Sequence, residues 1–198
     1  MFKTIIFDLG GVLFTNGTKK FIQNISDRYH LEKDLVAEFM DGEIGSQYRE
    51  AKITRDEFWG LMLNKFQIFE SADKLEQEWI DGYELIVGTK NIILDLKNRR
   101  TIYYLSDNVK ERVEAIDKKY HFMDWFDGGV YSHEVGVRKP DPRIYEFVLA
   151  KAHIDPHEAI FIDDKASALV PAKNMGITTI LFVSAEDLRE KLKDLGVL

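Results

Sequence analysis

The 198-residue sequence contains no cysteine, and this absence excludes three classes of site. Without thiols the chain can form neither a disulfide framework nor a thiolate zinc centre, and it has no cysteine nucleophile. Proline and glycine are also sparse, at 4 and 13 residues. Because low-complexity and collagen-like chains are rich in these two residues, the composition indicates a globular protein instead.

Long apolar runs and an excess of basic residues are missing as well. No uninterrupted apolar stretch approaches the roughly 20 residues of a membrane-spanning helix. The apolar N-terminal stretch is interrupted by Asp8, which is too early for a signal peptide. The 34 acidic residues outnumber the 27 basic ones, so the net charge is −7. We therefore expect a cytoplasmic protein that binds neither nucleic acid nor membranes, although a local cationic site could still bind an anionic substrate.

Five short runs of β-branched and aromatic residues predict buried strands. The runs are 4–7, 101–105, 129–131, 159–162 and 178–183. Helical patterns lie between them; Asp141 and Pro142, for example, are typical of a helix start. This alternation predicts an α/β fold with a doubly wound parallel sheet, in other words a Rossmann-like core.

Residues 18–88 contain no convincing strand. Their apolar residues recur at helical intervals, and the segment from Thr54 to Glu57 has the sequence of a capping box. We interpret this segment as a helical cap module inserted into a core formed by residues 1–17 and 89–198. We interpret its aromatic residues as the packing core of the module, not as a cofactor site.

Acidic and hydroxyl side chains follow three of the predicted strands. Asp8 follows the first strand, residues 106–108 follow the second, and Asp163 and Asp164 follow the fourth. Ligands of doubly wound sheets bind beyond the carboxyl ends of the strands, and Lys139 lies in a loop nearby. We therefore expect a site for a divalent metal and a phosphate. Carboxylates without cysteine or paired histidine favour Mg²⁺ over zinc.

Each of these segments also has a structural interpretation. Ser106 could cap a helix that begins near Asn108, Asp163 and Asp164 could form an ordinary acidic turn, and residues 138–140 could be a solvated basic loop. The order of the segments along the chain, each tied to a strand end, favours the functional interpretation.

Four motifs in this order resemble the haloacid dehalogenase-like hydrolases, in particular small sugar-phosphate phosphatases with a helical cap after the first motif. The motifs are FDLGGVLF (7–14), YLSDN (104–108), GVRKPDPRIY (136–145) and IFIDD (160–164). The resemblance covers the whole chain. It implies a Mg²⁺-dependent phosphomonoester hydrolase that acts on a small phosphorylated metabolite.

The resemblance also implies a metal site. Asp8 would be the nucleophile that forms an aspartyl-phosphate, and it would also bind Mg²⁺. The backbone carbonyl of Gly10 and the carboxylate of Asp164 would be further direct ligands, and Asp163 would support them.

The phosphate would be bound by the second and third motifs. Ser106, the backbone of Asp107, and Asn108 would hold the transferring phosphoryl group. Lys139 would bridge the phosphate and the nucleophile. Specificity would lie in the cap, where Tyr48, Arg49 and Trp59 are candidates.

Two positions depart from the family pattern. Gly10 stands where the family usually has an aspartate that acts as general acid and base, and Asp107 stands where it often has asparagine. Without an acid at position 10, substrates with good leaving groups should react faster, unless water or a cap residue supplies the proton. Asp107 should weaken phosphate binding unless its charge points away, is protonated or is paired.

Two other functions remain open at this stage. The chain could be a catalytically weak binding or regulatory protein on the same fold, because the acid is replaced by Gly10. It could also be a 2-haloacid dehalogenase, although halide displacement needs no metal and two adjacent carboxylates would repel the leaving halide. Phosphate release with and without Mg²⁺ distinguishes a phosphatase from a binding or regulatory protein. Halide release from 2-chloropropionate tests for a dehalogenase.

Overall fold

A five-stranded parallel sheet forms the centre of the computed structural model, which describes residues 2–198. The strands are β1 (Thr4–Phe7), β2 (Thr101–Ser106), β3 (Gly128–Tyr131), β4 (Ala159–Asp163) and β5 (Thr178–Leu181). Their spatial order is β3-β2-β1-β4-β5, so the first strand lies in the middle. The predicted α/β fold with a parallel sheet is confirmed, and β5 ends two residues earlier than the sequence pattern suggested.

Helices cover both faces of the sheet, because the central strands are apolar on both sides. The helices are α1 (Gly17–Tyr29), α2 (Lys33–Asp41), α3 (Glu43–Arg49), α4 (Arg55–Phe66), α5 (Ala72–Asp81), α6 (Val87–Lys97), α7 (Lys110–Tyr120), α8 (Ser132–Val135), α9 (Pro142–Ala152), α10 (Ala166–Asn174) and α11 (Ala185–Asp194). In β1, Ile5 and Phe7 pack with α6, α7 and α11, and Ile6 packs with α9 and α10 on the opposite face. This period of two is the side-chain alternation of a strand buried on both faces.

The register of the sheet brings the ends of three strands level. Phe7 pairs with Tyr104 of β2 and with Ile162 of β4. The residues just beyond these pairs therefore meet at one edge of the sheet. Asp8 is the first residue beyond β1 at this edge, and its backbone N–H donates to the carbonyl of Ile162 at 2.8 Å.

The segment between β1 and β2 forms helices α1 to α6 and no strand. Its aromatic side chains pack against one another around Trp59, which is fully buried. The rings of Phe21, Phe58 and Trp79 lie with their centroids 5.2–5.9 Å from that of Trp59. These residues thus form a packing core. Whether residues 18–88 form a module separate from the rest stays a prediction.

The capping box predicted at α4 is present. The Thr54 hydroxyl accepts from the Glu57 backbone N–H at 3.2 Å, and the Glu57 carboxylate accepts from the Thr54 backbone N–H at 2.7 Å. These two bonds satisfy N–H groups that the first turn of a helix otherwise leaves unpaired.

None of the helices within residues 2–198 has both the length and the apolar character needed to cross a bilayer.

We expect Thr54→Ala to lower the free energy of unfolding by about 1 kcal/mol, because it removes the capping oxygen of α4. Thr54→Ser keeps that oxygen and serves as the control. Urea unfolding followed by circular dichroism measures both variants. Equal stability of the alanine and serine variants would contradict the role of this cap.

Candidate active site

The turn after β1 brings its backbone close to a carboxylate. Gly11 has φ of +93°, and a Cβ there would lie 2.4 Å from the carboxyl carbon of Asp164. Only glycine fits such a position without strain. Gly10 has no left-handed φ, and a Cβ there would meet the Tyr83 ring at an ordinary 3.5 Å. The glycine that this turn requires is therefore Gly11, whereas a Cβ at position 10 would fit against the Tyr83 ring.

A buried ammonium group connects the ends of three strands. Lys139 Nζ lies 2.9 Å from Asp8 Oδ1 and 2.6 Å from Asp163 Oδ2, and it donates to the Leu105 carbonyl at 3.1 Å. Burial by itself would lower the pKa of Lys139. The carboxylates of Asp163 and Asp8 outweigh burial and raise this pKa well above its ordinary value. The side chain therefore stays charged.

Asp8 lies in an environment that resists its ionisation. It is only 7% exposed. Burial is the main cause that raises the pKa of its carboxyl group to about 7; Lys139 lowers this pKa, and Asp163 raises it. A further cation beside Asp8 would favour the ionised carboxylate.

Asp163 and Asp164 are adjacent in sequence but differ in their contacts. Both oxygens of Asp163 have protein donors, since Oδ2 binds Lys139 and Oδ1 accepts from the Lys165 backbone N–H at 2.8 Å. Asp164 is half-buried, and its Oδ1 is buried without any hydrogen-bond partner. Burial and the charge of Asp163 raise the pKa of Asp164. An unpartnered buried carboxylate oxygen is costly unless a cation or donor meets it.

These carboxylates fit a hard metal ion. One oxygen each of Asp8, Asp163 and Asp164 lies within 4.8 Å of the others. Three carboxylates, with the buried Asp164 oxygen still unpartnered, form the donor set that Mg²⁺, Mn²⁺ or Ca²⁺ prefers. The cluster could therefore hold a divalent cation.

The charge of Asp107 is paired. Its Oδ1 accepts from the Lys139 backbone N–H at 3.0 Å, and its Oδ2 lies 3.4 Å from Arg138 Nε. The carboxylate therefore faces the 138–139 loop. An acid can lie beside an anion site when its charge is paired with a donor or a cation. The structure shows that Asp107 is paired in this way.

Ser106 and Asn108 are buried at the end of β2. The alternative role of Ser106 as a helix cap is wrong, because α7 begins at Lys110 with Val109 as its N-cap residue. Asn108 Oδ1 accepts from Arg112 Nη1 at 2.9 Å, and the Asn108 backbone N–H donates to Ser132 Oγ at 3.1 Å. Both contacts fix the loop beyond the strand.

A cavity of about 220 Å³ joins these residues. Its wall on the sheet side includes five of the predicted site residues, which are Asp8, Gly10, Ser106, Asp107 and Asn108. Lys139, a sixth predicted site residue, lies on the same wall. Asp163 and Asp164 do not line the cavity and lie beside it, next to Lys139 and Gly11.

The helical segment supplies the opposite wall. This wall contains side chains that sequence analysis did not assign to the site: Asn16, Thr18, Lys19, Asp41 and Tyr83. Of the three specificity candidates, only Arg49 lines the cavity. Burial and then Arg138 lower the pKa of Arg49 to about 10, and Asp41 opposes them. Nothing in the local sequence around Thr18 or Tyr83 marks either residue, because each reaches the site only through helix packing.

Two side chains connect the helical segment to the sheet edge. Arg138 Nη1 donates to Ser46 Oγ at 2.7 Å, and Ser132 Oγ donates to the carbonyl of Arg49 at 2.7 Å. Arg138 also contacts Asp107, so one guanidinium spans α3 and the end of β2. These contacts hold the helical segment over the cavity.

Comparisons with known proteins identify relatives over almost the whole chain. A D-ribitol-5-phosphate phosphatase of Bacteroides thetaiotaomicron is 25% identical over 201 residues, covering 97% of each chain. A sesquiterpene phosphatase of Aspergillus oryzae is 28% identical and covers 89% of this chain and 87% of the relative. Among solved structures, a HAD family enzyme from Bacteroides thetaiotaomicron in complex with magnesium and inorganic phosphate has a TM-score of 0.75 at 24% identity. That alignment covers 93% of this chain and 96% of the other.

The family comparison agrees with the motifs and with the fold. The model described as haloacid dehalogenase-like hydrolase matches residues 2–176, which span all four motifs and the helical segment between the first two. The chain therefore belongs to the haloacid dehalogenase-like hydrolases.

Proposed function

We propose that this hydrolase is a Mg²⁺-dependent phosphomonoesterase that acts on a small phosphorylated metabolite and uses Asp8 as its nucleophile. The observation that carries the proposal is the pairing of Asp8 with Lys139 at 2.9 Å, beside a carboxylate oxygen of Asp164 that has no partner. Two relatives that align over most of the chain are phosphatases of small molecules, which supports the same reaction class.

Asp8 would attack phosphorus directly. One oxygen of Asp8 would form a bond to phosphorus while the bond between phosphorus and the ester oxygen breaks, which leaves an aspartyl-phosphate. Phosphoryl transfer depends mostly on positioning and charge neutralisation. Lys139 supplies a fixed positive charge within 2.9 Å of the nucleophile, so it would neutralise the phosphoryl oxygens as they arrive.

The phosphoryl group would bind at the end of β2. Ser106 and the backbone around Asp107 and Asn108 line the cavity beside Asp8 and would donate to the phosphate oxygens. The Asp107 carboxylate does not oppose the anion, because Arg138 and the Lys139 backbone N–H already bind its oxygens.

Asp8, Asp164 and the backbone carbonyl of Gly10 would hold Mg²⁺. Bound Mg²⁺ supplies positive charge that stabilises the transferring phosphoryl group. Asp163 would act indirectly, since Lys139 and the Lys165 backbone N–H occupy its two oxygens. Its fixed charge would orient Lys139 toward Asp8.

The size of the cavity is consistent with a small metabolite. A volume of about 220 Å³ accommodates a phosphate and a short carbon chain, and the helical segment closes the side opposite the sheet. Phosphate release from a panel of phosphomonoesters at fixed Mg²⁺ tests the proposal. No release from any of them, with Mg²⁺ bound, would leave the binding or regulatory function as the better one.

We expect Asp8→Asn to lower phosphate release by at least about 10³-fold, because an amide is a poor nucleophile. The near-isosteric change should preserve the fold, which circular dichroism checks. Asp155→Asn, which alters an exposed N-cap residue just before β4, at the end of the sheet away from the cavity, is the matched control and should retain activity. Activity of the wild-type level in Asp8→Asn would exclude Asp8 as the nucleophile.

Asp164→Asn should weaken Mg²⁺ binding more than Asp163→Asn, because only Asp164 has a free carboxylate oxygen. We expect about 10–100-fold weaker binding for Asp163→Asn, as is typical of indirect ligand support, and a larger loss for Asp164→Asn. Isothermal titration calorimetry with Mg²⁺ measures both. The reverse ranking would mean that the direct and indirect roles are exchanged.

Metal-free protein should lose stability as the pH rises from 3.8, the ordinary pKa of an aspartate, to about 7, the pKa of Asp8 in the folded protein. A carboxyl group whose pKa is higher in the folded state binds its proton more tightly there, so ionisation through that range favours unfolding. Mg²⁺ binds the ionised carboxylates and should restore stability most at the higher pH.

The melting temperature with EDTA or with millimolar Mg²⁺ tests this pH dependence. Comparison with Asp8→Asn isolates the contribution of Asp8, because the other titrating groups are shared. The melting temperature of the wild type should fall relative to the variant as the pH rises without metal. If the melting temperatures of the wild type and of Asp8→Asn change with pH by the same amount, the raised pKa of Asp8 is contradicted.

A further inference from the structure

Position 10 carries no side chain that could protonate a leaving group. An alkyl phosphate releases an alkoxide, which is a poor leaving group unless a nearby acid gives it a proton. The space beside Gly10 is nevertheless filled, since the Tyr83 ring from the far end of the helical segment lies there.

The ring lies between Gly10 and Gly17, and Gly17 makes room for it. Tyr83 Cε1 lies 3.5 Å from where a Cβ of residue 10 would be. On the opposite edge of the ring, a Cβ on Gly17 would lie 2.3 Å from Tyr83 Cδ2, so no larger residue fits at position 17 without moving the ring. Tyr83 is 6% exposed and lines the same cavity as Asp8. The ring is therefore held at the site and does not project into solvent.

The hydrogen bonds around the Tyr83 hydroxyl allow an arrangement that leaves its proton available. Trp79 Nε1 donates to Thr18 Oγ1 at 3.1 Å, and Thr18 Oγ1 lies 3.1 Å from the Tyr83 hydroxyl oxygen. An indole nitrogen can only donate, so the Thr18 oxygen accepts from Trp79 and is free to donate its own proton to Tyr83. In that arrangement the Tyr83 proton points away from Thr18.

A buried cation lies next to the same ring. The Arg112 guanidinium carbon is 5.6 Å from the centre of the Tyr83 ring and 3.4 Å from the centre of the Trp79 ring. Arg112 Nε and Nη2 are buried and have no hydrogen-bond partner. Positive charge at this distance offsets negative charge that develops on the phenol oxygen.

On the basis of the proposed phosphatase function, we propose that Tyr83 is the general acid that replaces the missing side chain at position 10. As the Asp8 oxygen bonds to phosphorus, the electron pair of the breaking P–O bond goes to the ester oxygen, which takes the proton of the Tyr83 hydroxyl. The alcohol leaves and Tyr83 remains as phenolate, with the Thr18 hydroxyl donating to it.

The second half-reaction restores the proton. A water molecule gives one proton to the Tyr83 phenolate while its oxygen attacks the aspartyl-phosphate and the bond between phosphorus and Asp8 breaks. Inorganic phosphate and the free Asp8 carboxylate result. The sum is hydrolysis of one ester by one water, with no other reactant.

The dependence of rate on the leaving group tests this role. The substrates are p-nitrophenyl phosphate, phenyl phosphate and glycerol-3-phosphate, whose leaving groups become steadily more basic. The wild type should show a shallow dependence of kcat/KM on leaving-group pKa. Tyr83→Phe should lose about 10²–10⁴-fold on glycerol-3-phosphate and little on p-nitrophenyl phosphate, because nitrophenolate leaves without a proton.

Two controls separate chemistry from structure. Tyr103→Phe makes the same change at a tyrosine that does not line the cavity and whose hydroxyl donates to the Lys151 carbonyl, and it should behave as the wild type. Calorimetric binding of inorganic phosphate with Mg²⁺ should be unchanged in Tyr83→Phe. If Tyr83→Phe fails to fold, Thr18→Val removes the donor to Tyr83, together with the acceptor of the Trp79 indole N–H, and should steepen the leaving-group dependence.

Each outcome supports or overturns the proposal. A steep dependence in the wild type overturns it, as does a folded Tyr83→Phe, or failing that Thr18→Val, with the same dependence as the wild type. Absence of phosphate release from every substrate by the wild type would instead overturn the phosphatase function on which the proposal rests.

Discussion

The site depends on one buried ammonium group placed between two carboxylates. Lys139 Nζ lies 2.9 Å from Asp8 and 2.6 Å from Asp163, and all three side chains are almost completely buried. A parallel sheet brings the ends of β1 and β4 side by side, so their acids are neighbours whether or not their charges repel. Without Lys139 no cation would offset the charge of these two buried carboxylates.

Lys139, the residue that carries this ammonium group, also constrains the loops around it. Its backbone N–H binds Asp107, whose other oxygen meets Arg138, and Arg138 reaches Ser46 of α3. The residues flanking Lys139 thus connect the second strand to the helical segment. An acid next to the proposed phosphate site is compatible with anion binding for this reason, since its charge is already matched by the same loop that carries Lys139.

The helical segment contributes more than a cover. At the end of its aromatic core, the Trp79 indole N–H donates to Thr18, whose hydroxyl contacts that of Tyr83. Thr18 and Tyr83 both line the cavity. The Tyr83 ring lies beside position 10, which has no side chain of its own. In the proposed mechanism, a residue 73 positions further along the chain supplies the group that is missing from the first loop.

The sequence by itself determined the fold class, the five strands and the residues at the strand ends. Short β-branched runs and helix caps are local signals, and the carboxyl ends of parallel strands meet at one edge, so 8, 106–108 and 163–164 could be placed together in advance. Only the tertiary structure decided which of Asp163 and Asp164 has a carboxylate oxygen without a partner. The same is true of the pairing of Asp107 and of Gly11 as the glycine that its turn requires. These depend on side-chain directions and on contacts between segments far apart in the chain. Tyr83 could not have been found at all, because a tyrosine at the end of a helical segment looks like packing until the helices place its ring against Gly10 and Gly17.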